Sequence, residues 1–472
     1  MIDITLLLEE KSGGPLYIQL YQHIKTDIMS NKLPANTRLP SMRALATHLR
    51  LSRNTVELAY HQLMAEGYIQ SQHRSGFYVI ELEQVEKLSE PSIQMNQPFE
   101  ASIPHSTAIQ YDFRYGDVDA AHFPITIWRK LSNQCLQDEQ LKLFSYGDPH
   151  GELGLRVEIA KYLYHSRGVN CRPEQIMIGA GIQYLLIVLS GLMRAYNNNI
   201  AMEDPGYDGV RTIFKHNGYQ IHPIPLNKDG LNVHHLYESH SRIVYITPSH
   251  QFPNGMVMPY AKRRQLLKWA ADQDGVIIED DYDSEFRYVG KPIPSLQGLD
   301  TNHRTVYLGT FSKCLLPSLR IAYMVLPPAL LERHKKQGYP LYDQTVSWIH
   351  QKTLELFMSN GHWEAHIRRM RKVYRHKQHK LISTIEILMG EQVTVIGADA
   401  GLHILLRVHN GMNEQELIQA AEKARVKVYP TSPFWVHRNH AATSMVQIGF
   451  GGLSNEDIVK GVHALHRAWF AS

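Results

Sequence analysis

Apolar residues in the first eighty positions recur at helical spacing. Tyr17, Leu20, Tyr21, Ile24 and Ile28 form one stripe, so this segment reads as an amphipathic helix ended by Pro34. The chain re-enters helix at Ser41, an N-cap residue followed by Leu45, Ala46 and Leu49 on the buried face. A tight connection through Leu51 leads to a second N-cap, Ser52. The third helix turns Val56, Ala59, Tyr60 and Leu63 inward, and Gly67 stops it. Tyr68-Ile69 and Phe77-Tyr78-Val79 flank Arg74-Ser75-Gly76, which is hairpin chemistry. Three helices and a hairpin, with a turn between the second and third helix, describe a winged helix-turn-helix.

The pattern then changes. From Glu81 to Gln110 regular apolar spacing is lost and Pro91, Pro98 and Pro104 punctuate the chain, so residues 81–110 read as a linker after a domain over 1–80. From Tyr111 onward helical stretches alternate with short apolar runs such as Ile243–Ile246 and Val276–Ile278. That alternation predicts an α/β domain over 111–472 built around a largely parallel sheet.

Composition narrows the class. The 472 residues are 43% hydrophobic and 20% charged, which is globular, and long enough to bury a core without disulfides. Cys135, Cys171 and Cys314 are scattered, with neither disulfide-framework nor metal-ligand spacing, so a reducing cytoplasm is expected. The N-terminal residues lack a signal-peptide layout, and the apolar run at Leu185–Leu189 is too short to span a bilayer. The net charge of +4 announces no partner, but its distribution does. Lys32, Arg38, Arg43, Arg50 and Arg53 follow one another with no acid before Glu57. This strip falls on the face a winged helix offers to DNA. Ser52, Arg53, Asn54 and Thr55 at the tip of the third helix then face bases. Arg38 and Arg43 face phosphates, and Arg74 in the hairpin faces a minor groove.

Candidate chemistry sits in the larger domain. Gly309-Thr310-Phe311-Ser312-Lys313 precedes Arg320, and upstream stands Val276-Ile277-Ile278-Glu279-Asp280-Asp281-Tyr282. On a strand, Asp280 and Tyr282 emerge on one side and Asp281 on the other. Such an acidic cluster also suits magnesium. A lysine paired with an acid and a phenol suits instead a pyridine aldehyde bound to the lysine as an internal aldimine. Asp280 would then hold the ring-nitrogen proton, Tyr282 the phenolic oxygen, and Thr310, Ser312 and Arg320 the phosphate. The turn through Ala180, Gly181 and Ile182, which opens a helix, would aim amides at that phosphate, and Tyr207 would stack on the ring.

These motifs carry a family resemblance. Arg38-Leu39-Pro40-Ser41-Met42-Arg43, Leu51-Ser52-Arg53-Asn54-Thr55 and Leu63-Met64-Ala65-Glu66-Gly67-Tyr68 resemble the winged helix of the GntR family of bacterial regulators. That likeness implies operator DNA as partner and puts Gly76 of the wing, with Arg38, Arg43, Arg53, Asn54 and Thr55, at contact positions. From about Asp112 onward, the order phosphate turn, stacking tyrosine, Asp-x-Tyr, lysine and arginine resembles the fold-type I aminotransferases. The likeness implies pyridoxal 5'-phosphate and a transferase-like α/β domain with a small C-terminal α+β subdomain. Joined to a winged helix and to Thr247-Pro248-Ser249-His250-Gln251-Phe252-Pro253-Asn254-Gly255, it is similar to the MocR subgroup, and within it to the GabR type. Members of that subgroup are typically head-to-tail homodimers whose large domain senses an amino compound or pyridoxal phosphate itself.

Departures matter too. Phe252 stands where aminotransferases place an asparagine, and Gln447 where they place a carboxylate-binding arginine, with Arg211 or Arg438 as possible substitutes. Asp208 and Gly209 stand where the GabR type carries arginines. The resemblance therefore implies a regulator that senses an amine by aldimine exchange at Lys313, with at most partial transamination. An active aminotransferase carrying a DNA-binding head is the alternative. His362 and His366 are expected to face solvent, and Cys314 to pack.

Overall fold

The protein is described from a computed structural model, which covers residues 15–72, 75–81, 109–138, 140–194, 196–289, 294–338, 343–437, 441 and 443–470. The chain divides into two compact units, Met1–Ile103 and Pro104–Ser472. Nearly all of the linker assigned to 81–110 lies outside the described residues.

Three helices carry the N-terminal unit: α1 (Leu16–Met29), α2 (Met42–Leu49) and α3 (Arg53–Ala65). Helix α1 stops at Met29, before Pro34, and buries Leu20, Tyr21, Ile24 and Ile28. Both caps form as expected. Ser41 Oγ accepts from the Ala44 amide at 3.2 Å and Ser52 Oγ from the Thr55 amide at 3.1 Å, each cap contributing about 1 kcal/mol. Between them Arg50 takes a left-handed φ of 54°, which turns the chain from α2 toward α3. The hairpin pairs β2 (Ile69–Gln72) with β3 (Gly76–Val79). Arg38–Leu39 adds a strand against β3, with Arg38 opposite Tyr78. That strand is only two residues long, too short to show an alternating pattern in sequence. Tyr60 locks the unit together: it is fully buried, donates to the Pro40 carbonyl at 3.0 Å and meets the Phe77 ring edge-on at 5.0 Å.

The second unit is built on eight strands. In spatial order they are Ile176–Gly179, Ala322–Val325, Thr305–Thr310, Val276–Asp281, Ile243–Ile246, Asn199–Asp204, Gln220–Asn227 and Gly230–Leu231. The five from Thr305–Thr310 to Gln220–Asn227 pair in parallel. Ala322–Val325 and the edge strand Gly230–Leu231 run antiparallel to their neighbours. Strands buried on both faces, such as Ile243-Val244-Tyr245-Ile246, explain the unbroken apolar runs. A smaller antiparallel sheet of Val393–Ile396, His403–Val408, Met445–Gly449 and Tyr429–Pro430 forms the C-terminal α+β part with helices His362–Met389 and Asn455–Phe470. No helix among the described residues is long and apolar enough to cross a membrane.

The strand Val276–Asp281 sends its acids to opposite faces. Glu279 accepts from the Leu296 and Gln297 amides at 2.7 and 2.8 Å, with Arg263 3.6 Å away. Asp281 accepts from Arg167 Nε at 2.7 Å and from the Tyr307 hydroxyl at 2.6 Å. Asp280 alone faces the other way. The three acids therefore do not converge as magnesium ligands would, and two of them are already neutralised. Replacing Asp281 with alanine strands Arg167 as an uncompensated buried cation. We expect a loss of about 3–5 kcal/mol in urea unfolding of the second unit; a loss below about 1 kcal/mol contradicts the assignment.

Candidate functional site

In the N-terminal unit the residues expected to face bases lie at the start of α3. Arg53 and Asn54 are exposed there, whereas Ser52 and Thr55 are partly committed: their hydroxyls bond each other at 2.8 Å while Ser52 caps the helix. Ser41 is likewise occupied as a cap, with exposed Arg43 two residues on. The fold also brings Arg38 to Gly76. Gly76 has φ of 113°, and a Cβ there would stand 3.4 Å from Arg38 Nε, so the arginine lies along the wing. Arg74 lies outside the described residues.

In the second unit the predicted residues gather around one cavity of about 600 Å³ at the C-terminal ends of the parallel strands. Asp280, Tyr282, Tyr207, Ile182, Thr310, Ser312, Lys313 and Arg320 all line it. Ala180 and Gly181 are not among the lining residues. The Ala180 amide donates to Thr345 Oγ1 at 3.2 Å. Gly181 has φ of 94°, and a Cβ there would collide with the Arg320 guanidinium, so only glycine admits that arginine. Helix Ile182–Met193 begins at this point, and its first amides lack carbonyl partners by geometry.

Lys313 lines the cavity at its centre of burial. Its amine stands 3.6 Å from the Tyr115 ring centre, and a Cβ on Gly116 would lie 3.3 Å from it. Burial pushes the amine down to about 8, opposed by Asp283 and Asp117. Asp280 is 4% exposed. Its Oδ2 accepts from the Tyr245 hydroxyl at 2.5 Å, while Oδ1 is buried without a partner. Burial raises this carboxyl to about 7, against the Tyr245 bond and reinforced by Asp281 and Asp283.

A hydrogen-bond network sets the direction of Tyr282. His250 Nδ1 lies 2.9 and 3.0 Å from the two Asp283 oxygens and 3.0 Å from the Tyr282 hydroxyl. A carboxylate only accepts, so Nδ1 carries the proton, Tyr282 receives no more than a share of it, and the Tyr282 proton points elsewhere. His403 Nε2 donates to the Pro253 carbonyl at 3.0 Å, and burial, then His250, holds this imidazole well below its usual range.

Several residues were missed or misread in the sequence. Tyr115, Tyr245 and Arg114 also line the cavity, but each lies in a stretch with no lysine- or acid-like signature of its own, whereas Thr247 opens a motif quoted above. Arg211 is already engaged: it donates to the carbonyls of Phe434 at 3.2 Å and Pro433 at 2.5 Å. Arg438 lies outside the described residues. His366 is buried rather than solvated and bonds the Cys314 carbonyl at 2.8 Å, bracing the segment that carries Lys313. Its helical position among arginines gave the opposite impression, because only the facing loop reveals the partner. Cys314 is buried, as expected.

Two sequence families match the chain. Residues 109–465 match aminotransferase class I and II, and residues 16–79 match the bacterial regulatory proteins of the gntR family. The chain is 44% identical to the uncharacterized HTH-type transcriptional regulator YdeL of Bacillus subtilis, over 99% of this chain and 100% of that one. It is 32% identical to the probable rhizopine catabolism regulatory protein MocR of Rhizobium meliloti, over 99% and 96% of the two chains. The kynurenine aminotransferase of Pyrococcus horikoshii, solved with PMP, superposes with a TM-score of 0.69 at 26% identity, over 77% of this chain and 91% of that one.

An amine near 8 is about one-tenth neutral at pH 7, against about 0.03% for an ordinary lysine. The rate at which apo-protein captures pyridoxal 5'-phosphate should thus climb with pH and level off above 8. A stopped-flow rate that keeps climbing well past that point contradicts the enclosure of Lys313.

Proposed function

We propose, for a chain that belongs to the GntR family of bacterial regulators and carries the aminotransferase class I and II domain of its MocR-type members, that it is a transcriptional regulator whose second unit senses an amine through Lys313. The observation that carries this reading is the meeting of Lys313 and Asp280 in one cavity of a chain headed by a GntR winged helix. The cofactor is pyridoxal phosphate. When bound, it supplies an aldehyde that combines reversibly with primary amines and a pyridine ring able to accept charge.

The residues present fit that group. The unpartnered Oδ1 of Asp280 needs a donor, and a cationic one would offset the burial that raises this carboxyl. Arg320 would hold the phosphate with Thr310, Ser312 and the first amides of helix Ile182–Met193. Gly181 leaves room for that guanidinium. Tyr207 would cover a ring face, and Tyr282 would offer its hydroxyl proton to the phenolic oxygen because Asp283 occupies His250 Nδ1. Phe252 gives the wall an apolar surface in place of an amide. Lys313 keeps a neutral fraction ready for the aldehyde, and Tyr115 steadies its charged form.

An incoming amine competes with Lys313 and frees its side chain. The change biases the second unit between conformations, and the linker passes that bias to the winged helix as a shift in population. A head-to-tail homodimer would present two heads to paired half-sites of operator DNA in the cytoplasm. Gln447 in place of a guanidinium fork argues against efficient turnover.

Lys313→Ala should abolish the visible absorption of the cofactor yet keep binding to genomic fragments selected by the wild type within a few-fold. Arg53→Ala should do the reverse, weakening those fragments by about 10- to 100-fold in gel-shift titrations. Steady turnover with an amine and a keto acid contradicts the regulator reading.

A further inference from the structure

In the small antiparallel sheet Leu405 stands opposite Ile396, and Arg407 opposite Met445. Partners in register share a face, and so do Leu405 and Arg407, two residues apart on one strand. That face floors a second cleft of about 440 Å³, a size that suits a small molecule. Its walls come from Trp435 and from Pro205 and Pro253, in the loops that follow strands Asn199–Asp204 and Ile243–Ile246. None of these residues lines the cofactor cavity, although the adjoining Phe252 does. Hydrogen bonds hold the walls in place. Gln251 Nε2 donates to the Pro205 carbonyl at 2.9 Å, the Gly206 amide to the Phe434 carbonyl at 3.0 Å, and the Val436 amide to Asp204 Oδ1 at 2.9 Å.

The lining is one-sided in its chemistry. Arg407 is its one charged residue; it is exposed, and its guanidinium makes no hydrogen bond or ion pair among the described residues. The Asn254 side-chain amide and the Trp435 indole N–H add donors with no partner among the same residues. No acid lines the cleft, and those of the flanking segments are spent. Glu414 accepts from the amides and hydroxyls of Thr431 and Ser432, and Asp204 from the Val436 amide. The rest of the surface is apolar, from Leu405, Ile396, Met445 and the two prolines. A lone cation over such a floor complements an anion that carries an apolar body. The guanidinium fork matches a carboxylate, and the flat indole of Trp435 favours a flat body.

We infer that this cleft is a second ligand site, distinct from the cofactor cavity, and that it takes a flat apolar carboxylate anchored by Arg407. The site stands apart from the sensing role of Lys313, because such an acid needs no amine and cannot join the cofactor's aldehyde. Holo-protein is titrated by calorimetry with phenylacetate and with indole-3-acetate, each beside its neutral amide. Cofactor absorbance, read in the same samples, reports that each protein is folded and loaded. In the wild type at least one acid should bind about 10- to 100-fold more tightly than its amide. Arg407→Gln should erase that preference, and Arg407→Lys should keep part of it. An acid that binds no better than its amide in the wild type overturns the site. So does a preference that survives intact in Arg407→Gln, or an acid that binds only by displacing the cofactor, since either places the anion elsewhere.

Discussion

One carboxyl oxygen governs the large cavity. Asp280 is held on one side by the Tyr245 hydroxyl and left on the other with a buried oxygen that nothing in the chain satisfies. Such an atom is costly, since leaving a buried group unpaired in a low-dielectric interior costs more than a made hydrogen bond contributes. Burial accordingly lifts the group to about 7, where it sits between its charged and neutral forms. A protonated ring nitrogen would resolve the conflict. The surrounding parts follow from that: a lysine kept partly neutral, an arginine admitted by a glycine, and a tyrosine turned inward by its histidine.

The neighbouring acids show how the sheet makes this possible. Strand alternation sends Glu279 and Asp281 to one face, where arginines and amides neutralise them, and Asp280 to the other. One six-residue strand thus braces the fold with two carboxylates and exposes a third. Bracing continues from the small sheet and the long helix: His366 holds the Cys314 carbonyl, and Gly449 holds the segment before Tyr115. The Lys313 amine is therefore enclosed by residues distant in sequence.

Local patterns were legible where the physics is local. Both serine caps, the inward stripe of α3 and the alternation of Asp280 and Tyr282 follow from periodicity and short-range chemistry. The GntR and aminotransferase assignments rest on motifs that stay contiguous in the chain. What stayed hidden depends on tertiary meeting. Tyr115 under Lys313, Tyr245 on Asp280 and His366 under Cys314 join residues tens to hundreds of positions apart. Arg211 looked available and is spent on two carbonyls, whereas Arg114 carried no motif and lines the cavity. The bond from the Ala180 amide to Thr345 on another loop was equally invisible in the sequence.

The central claim is that Asp280 keeps the cofactor ring cationic inside this cavity. Nitrogen-15 NMR of protein loaded with ring-labelled pyridoxal phosphate reads that proton directly. The account predicts a protonated ring nitrogen at neutral pH in the wild type and a deprotonated one in Asp280→Asn. A wild-type ring nitrogen without its proton, or one indifferent to the substitution, would contradict it.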